Sequence, residues 1–199
     1  MSIPDKKVGR YILPIFPVID LIAGFGIYLT IDWIKPLWTT TKRAKATLYS
    51  ASVILALIQL YPAASVFPYF LAYYNPLVGG PATAQKVLLV GRGEGMDQVA
   101  KYFNQKSNAE SLTVASEFGY LLNIQFKGQV LSTTVGRYQD DTLEKADYLV
   151  VYISGIQKQN LRTAREVLEY HQNHSPEKII RINGINYAYI YNLKHEVSQ

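Results

Sequence analysis

Two transmembrane α-helices followed by a small α/β domain with a C-terminal β-hairpin is the fold class that this 199-residue sequence predicts. Three observations carry it. Residues 46–85 contain no Asp, Glu, Lys or Arg. From Lys86 onward, short β-branched apolar runs alternate with glycine turns and amphipathic stretches, the pattern of strands alternating with helices. Near the C terminus, Asn183-Gly184 separates two apolar runs, a strong short-range hairpin signal. The expected organisation is a two-helix membrane segment over 1–66, an aromatic exit collar and linker over 67–85, and an α/β domain over 86–199.

Charge is distributed unevenly along this plan. Residues 1–45 hold 7 basic and 3 acidic side chains, whereas residues 86–199 hold 13 basic and 12 acidic ones. The formal net charge of +5 therefore lies mostly ahead of the α/β region and argues against nucleic acid as a partner. The absence of Cys excludes disulfides, zinc–thiolate centres and thiol catalysis.

The first expected span runs from Tyr11 to Ile34, long enough to cross a hydrocarbon core of about 20 helical residues. Its length, and the lack of a small-residue cleavage motif, separate it from a signal peptide. Asp32 lies near its end, beside Trp33 and Lys35. Asp20 lies deeper and is the intramembrane polar candidate: either a functional ionisable group or a hydrogen-bond partner for a neighbouring helix. Lys35, Lys42, Arg43 and Lys45 mark the following loop as cytoplasmic. The second span is expected from about Ala46 to Tyr61, with Pro62 as its kink or stop. Chain beyond it should lie outside the cytoplasm. The segment Phe67 to Gly80 is rich in aromatics and Pro, a composition suited to a membrane–water boundary.

In the α/β region, Lys86 to Val90 reads as a buried strand. It runs into Gly91-Arg92-Gly93-Glu94-Gly95 and a helix with Met96, Val99, Ala100 and Phe103 on one face. Leu112 to Ala115 is the second expected strand, followed by a helical or irregular stretch over Phe118–Phe126. Gln129 to Leu131 is a short third strand, and Tyr148 to Ile153 the clearest buried one. Asn160 is a candidate cap for a helix reaching about His171, with Leu161, Ala164, Val167 and Leu168 on one face. Lys178–Ile182 and Ile185–Tyr191 form the hairpin. The sum is a Rossmann-like sheet with an antiparallel edge.

The motifs give few chemical leads. A dinucleotide site needs G-x-G-x-x-G after a strand and an acid near the end of the second strand. Gly91 and Gly93 fit and Glu117 stands near the second position, but Met96 replaces the third glycine. Glu94 also puts a carboxylate where phosphate would sit, so the turn reads as structural, with nucleotide binding as its rival. His171, His174 and His195 show no ligand spacing, so no metal site is predicted. Tyr187, Tyr189 and Tyr191 alternate along one strand, as a packed ladder does, or as an outward one that stacks on sugars. No Ser/His/Asp arrangement stands out.

Several stretches resemble one family. Lys6-Lys7 with Arg10 to Pro17, the collar from Pro68-Tyr69 to Gly80, Val87 to Gly95 with Asp97-Gln98, and Arg181 to Ile185 with Tyr187-Ala188 and Ile190-Tyr191 are similar to bacterial GT-C type glycosyltransferases. This is the dolichyl-phosphate-mannose protein mannosyltransferase and aminoarabinose transferase superfamily. The resemblance implies an enzyme of the bacterial cytoplasmic membrane, multi-pass, with an extracytoplasmic C-terminal domain. It would transfer a hexosyl, mannosyl or pentosyl unit from a polyprenyl-phosphate donor to an acceptor on the outer face. The family's catalytic acid belongs to an N-terminal external loop that this chain lacks. The chain is thus expected to be a C-terminal piece partnered by missing helices and membrane lipid, with no catalytic residue or cofactor of its own. Lys7 and Arg10 either bind the lipid phosphate or anchor a helix at the headgroups. A non-catalytic, membrane-anchored extracytoplasmic binding module is the alternative.

Overall fold

The computed structural model describes residues 15–34, 42–76, 79–158 and 163–194. The chain divides into two compact units, Met1–Gln59 and Leu60–Gln199.

Helices α1 (Phe16–Ile34) and α2 (Lys42–Ser65) occupy the positions of the expected spans. The two transmembrane α-helices expected there are corrected by the structure: among the described residues, no helix is long and apolar enough to cross a membrane. Both helices contain residues that a span tolerates poorly. Helix α1 is 19 residues long and includes both Asp20 and Asp32. Helix α2 is 24 residues long, but its first turn contains Lys42, Arg43 and Lys45, and Pro62 interrupts its far end. With no spanning helix among the described residues, the expected multi-pass placement in a bacterial cytoplasmic membrane, with an extracytoplasmic C-terminal domain, is corrected as well.

The second unit is a mixed α/β fold. Its sheet has five strands in the order β2-β1-β3-β5-β4: β1 (Thr113–Ser116), β2 (Gln129–Ser132), β3 (Tyr148–Tyr152), β4 (Lys178–Ile182) and β5 (Ile185–Asn192). β1 pairs in parallel with both β2 and β3, while β5 is antiparallel to β3 and β4. The remaining helices are α3 (Gly80–Val87), α4 (Met96–Asn104), α5 (Gly119–Gln125), α6 (Thr142–Lys145), α7 (Ile153–Lys158) and α8 (Arg165–Asn173). Met96, Val99, Ala100 and Phe103 are the buried face of α4, at the spacing the sequence shows. One core cluster joins them to α5 and to Val114, Val150, Tyr152 and Ile190 of the sheet. On the other face, Ala164 and Val167 pack with Ala115, Leu149, Val151 and Tyr191. All five residues of β3 are buried, as expected of a central strand covered on both sides.

Three local expectations change. Lys86 to Val90 is not a strand: Lys86 and Val87 end α3, Val87, Leu88 and Leu89 are exposed, and Val90 alone is buried. Gly-Gly-Pro starts a helix here, with Pro81 in its first turn, where a missing N–H costs nothing. The backbone beyond it is satisfied by a side chain. Val90 N donates to Gln157 Oε1 at 2.9 Å, and Gln157 Nε2 donates to the carbonyls of Gln85 (2.8 Å) and Leu88 (3.0 Å).

The last described helix starts at Arg165, with Ala164 at its cap position. Asn160 and Leu161 lie outside the described residues. The tyrosine ladder is also divided. The β4–β5 register shifts between Ile180↔Ala188 and Arg181↔Asn186, leaving one extra residue on β5. Such a bulge reverses the in–out phase of everything beyond it. Tyr187 therefore joins the first core cluster, whereas Tyr191, with Tyr189 packed beside it, joins the second. The ladder is internal packing, not an outward platform.

The aromatic segment after α2 is tied into this unit. Tyr69 Oη donates to Asp97 Oδ2 at 2.6 Å and accepts from Gln98 Nε2 at 2.9 Å. Burial, then the Asp97 hydrogen bond, pushes the Tyr69 hydroxyl up to about 12, so it remains a neutral donor at ordinary pH. Ala72 is fully buried, and its carbonyl accepts from Asn183 Nδ2 at 2.8 Å. Asn183 can reach it because Asn183 and Gly184 both have positive φ (47° and 81°), forming the tight turn of the hairpin. The collar, Asp97-Gln98 and Asn183-Gly184 are thus one contact set. Tyr69→Phe removes a charge-assisted hydrogen bond and should lower stability by about 1.5 kcal/mol, read from the midpoint of urea unfolding.

Candidate functional site

Parallel β-sheets hold ligands beyond the carboxyl ends of their strands, where successive connections diverge. The chain leaves β1 for β2 on one side, then crosses back to β3 on the other. β1 ends on Ser116 and runs into Glu117, β2 ends on Ser132 and runs into Thr133-Thr134, and Ser154-Gly155 follows β3 after Ile153.

Their side chains converge. Glu117 is 5% exposed, and its carboxylate accepts from Thr163 Oγ1 at 3.1 Å and from Ser154 Oγ at 3.3 Å. A carboxylate removed from water needs such donors, and both hydroxyls are themselves buried. The Glu117 carbonyl accepts from Thr134 Oγ1 at 3.3 Å, and Thr134 pairs with Thr163 in an isolated antiparallel bridge. Gly155 makes this junction possible, because a Cβ there would lie 2.2 Å from Thr163 Oγ1 and 2.6 Å from Glu117 Oε2.

Beside this node opens a cavity of about 350 Å³, lined by Glu117, Gly119, Tyr120, Asn123, Val130, Leu131, Ser132, Thr134 and Arg137. Helix α5 supplies Tyr120 and Asn123, and Tyr120 is 61% exposed, so much of its ring is open to solvent. The loop after β2 supplies Arg137. The turn Thr134–Arg137 is closed by Arg137 N donating to Thr134 O at 2.9 Å, with Gly136 at φ 85° in the position that demands a positive angle. An open aromatic ring, a side-chain amide, hydroxyls, a carboxylate and a guanidinium thus line one concave surface. These are groups that receive a molecule bearing several hydroxyls: the ring covers C–H faces and the polar atoms exchange hydrogen bonds.

The glycine turn serves a different purpose. Gly91, Gly93 and Gly95 all have positive φ (87°, 113° and 83°). The turn wraps the hydroxyl of Tyr152, which accepts from Gly93 N at 3.0 Å and lies 3.0 Å from the Glu94 carbonyl, to which it donates. Burial, reinforced by the Glu94 carboxylate, holds that hydroxyl far above its ordinary range, as a neutral donor. Glu94 Oε2 in turn accepts from Arg92 N at 2.5 Å, so the protein's own carboxylate fills the loop that would face a phosphate. Among the described residues no strand precedes the turn, so it lacks the strand–turn–helix context of a dinucleotide fingerprint.

Lys7 and Arg10 lie outside the described residues. Asp20 is exposed on α1, and the structure brings no hydrogen-bonding or ionic partner to it among the described residues. Glu117 is the one cavity residue that the sequence singles out, though for a nucleotide that the glycine turn does not support. Tyr120, Asn123, Thr134, Arg137, Ser154 and Thr163 carry no motif. Only Thr134 and Ser154 carry a positional signal, each two residues beyond a strand. No family model matches the chain, and neither a curated protein nor a solved structure does.

Proposed function

We propose that this chain supplies the glycan-recognition part of a glycosyltransferase, binding a sugar unit in the cavity beyond β1 and β2 while the transfer itself takes place elsewhere. The observation that carries this reading is the cavity lining, in which the open Tyr120 ring stands with Asn123, Ser132, Thr134 and Glu117 around about 350 Å³. That volume suits one or two sugar rings, near the lower end of ordinary small-molecule sites. Support also comes from the resemblance to glycosyltransferase C-terminal domains. Its collar, Asp97-Gln98 and Asn183-Gly184 stretches, distant in sequence, meet in space. A set of motif residues that holds one architecture together is what a shared domain requires.

The test is saturation-transfer NMR on the full chain with methyl α-D-mannoside and methyl β-D-glucoside. At least one sugar should receive saturation. Tyr120→Ala should weaken binding about tenfold, the effect of losing roughly 1.4 kcal/mol of ring contact. Absence of transfer to these sugars and to charged ones would rule the reading out.

A further inference from the structure

The cavity also contains a feature that a neutral sugar leaves unused. Arg137 lies in its wall, with its backbone fixed by the Thr134–Arg137 turn and its loop tied down by the Thr134–Thr163 bridge. Of the other described arginines of the α/β unit, Arg165 Nε donates to Glu169 at 2.7 Å and Arg181 Nε to Asn186 at 2.9 Å, while the Arg92 side chain, outside the cavity, makes no such contact. The Arg137 guanidinium has no hydrogen bond or ion pair among the described residues. No hydrogen bond or ion pair joins it to Glu117, whose oxygens accept from Ser154 and Thr163. A guanidinium presents a planar fork of donors that matches a carboxylate or phosphate in a two-point contact.

We infer that the ligand is an anionic sugar, with its carboxylate or phosphate on Arg137 and its hydroxyls on Asn123, Ser132 and Thr134 over the Tyr120 ring. This rests on the reading of the cavity as a glycan site.

Calorimetric titration of the full chain at fixed ionic strength separates the possibilities. The probes are methyl β-D-glucuronide, glucose 6-phosphate, methyl β-D-glucoside and inorganic phosphate. One of the two charged sugars should bind at least tenfold more tightly than methyl β-D-glucoside, and which one identifies the anion. Arg137→Gln should reduce that sugar to the affinity of the neutral one, and Arg137→Lys should restore part of the difference. Equal binding of charged and neutral sugars would overturn this inference and leave the glycan site standing. Binding of none of the sugars would overturn both. Inorganic phosphate binding as tightly as glucose 6-phosphate would mark a bare anion site and also overturn both.

Discussion

Gly91→Ala should cost the α/β unit about 2–5 kcal/mol. Two effects add at this position. Gly91 has φ 87°, where a side chain costs roughly 1–2 kcal/mol. A Cβ there would also lie 2.6 Å from Tyr152 Cε1 and 2.9 Å from Ile153 Cγ2. Tyr152 is 1% exposed, and its ring packs against Phe118 at a centroid distance of 4.6 Å, so it cannot retreat without disturbing the core. Overpacking of this kind costs about 1–3 kcal/mol. Gly184→Ala is the natural comparison, because Gly184 has φ 81° but nothing within 4 Å of its added Cβ. It should cost only about 1 kcal/mol. Urea unfolding of the two variants measures the difference. Equal losses would mean that the glycine turn is not packed around Tyr152.

Gly155→Ala should reverse the usual sign of a helical substitution. Gly155 lies in α7 without a positive φ, and Gly→Ala inside a helix ordinarily stabilises by about 1 kcal/mol. Here the methyl group would enter the space between Thr163 Oγ1 and Glu117 Oε2, at 2.2 and 2.6 Å. Neither atom belongs to a long, yielding side chain at the surface, since Glu117 and Thr163 are both buried. Separating them leaves a buried carboxylate short of a donor, at a cost of about 1–3 kcal/mol in addition to the overpacking. The net expectation is a loss of about 1–5 kcal/mol, with sugar binding weakened more than tenfold. A stabilised or neutral variant would show that the Glu117–Thr163 contact does not organise this end of the sheet.

These two glycines also show where sequence reading succeeds and where it stops. Periodicity and turn chemistry are local, and what they control was legible. The buried face of α4, the strands at Thr113, Gln129 and Tyr148, and the Asn183-Gly184 turn all lie where pattern places them. The run Lys86 to Val90 misled because an apolar, β-branched stretch becomes a strand only if a sheet edge accepts it. Here Gln157, 67 residues away from Val90, takes the backbone groups instead. The bulge in β5 is equally hidden: a strict alternation of Tyr187, Tyr189 and Tyr191 cannot reveal that one residue is extra. The expected spans are not matched, among the described residues, by a helix long and apolar enough to cross a membrane. The uncharged stretch 46–85 does not coincide with α2, which begins on a basic turn and ends at Ser65, and two carboxylates fall within α1. The cavity was the least legible feature. Glu117, Tyr120, Thr134, Arg137, Ser154 and Thr163 come together only through the order in which β1, β2 and β3 are laid side by side.

The most direct measurement is an amide ¹H–¹⁵N map of the full chain during titration with methyl β-D-glucuronide and methyl β-D-glucoside. Binding in the cavity should move the resonances of Gly119, Tyr120, Asn123, Ser132 and Thr134 together, while Gly91, Gly93 and Gly95 of the filled glycine turn stay in place. Shifts centred on that turn, or no shifts with either sugar, would contradict a glycan site at the carboxyl ends of β1 and β2.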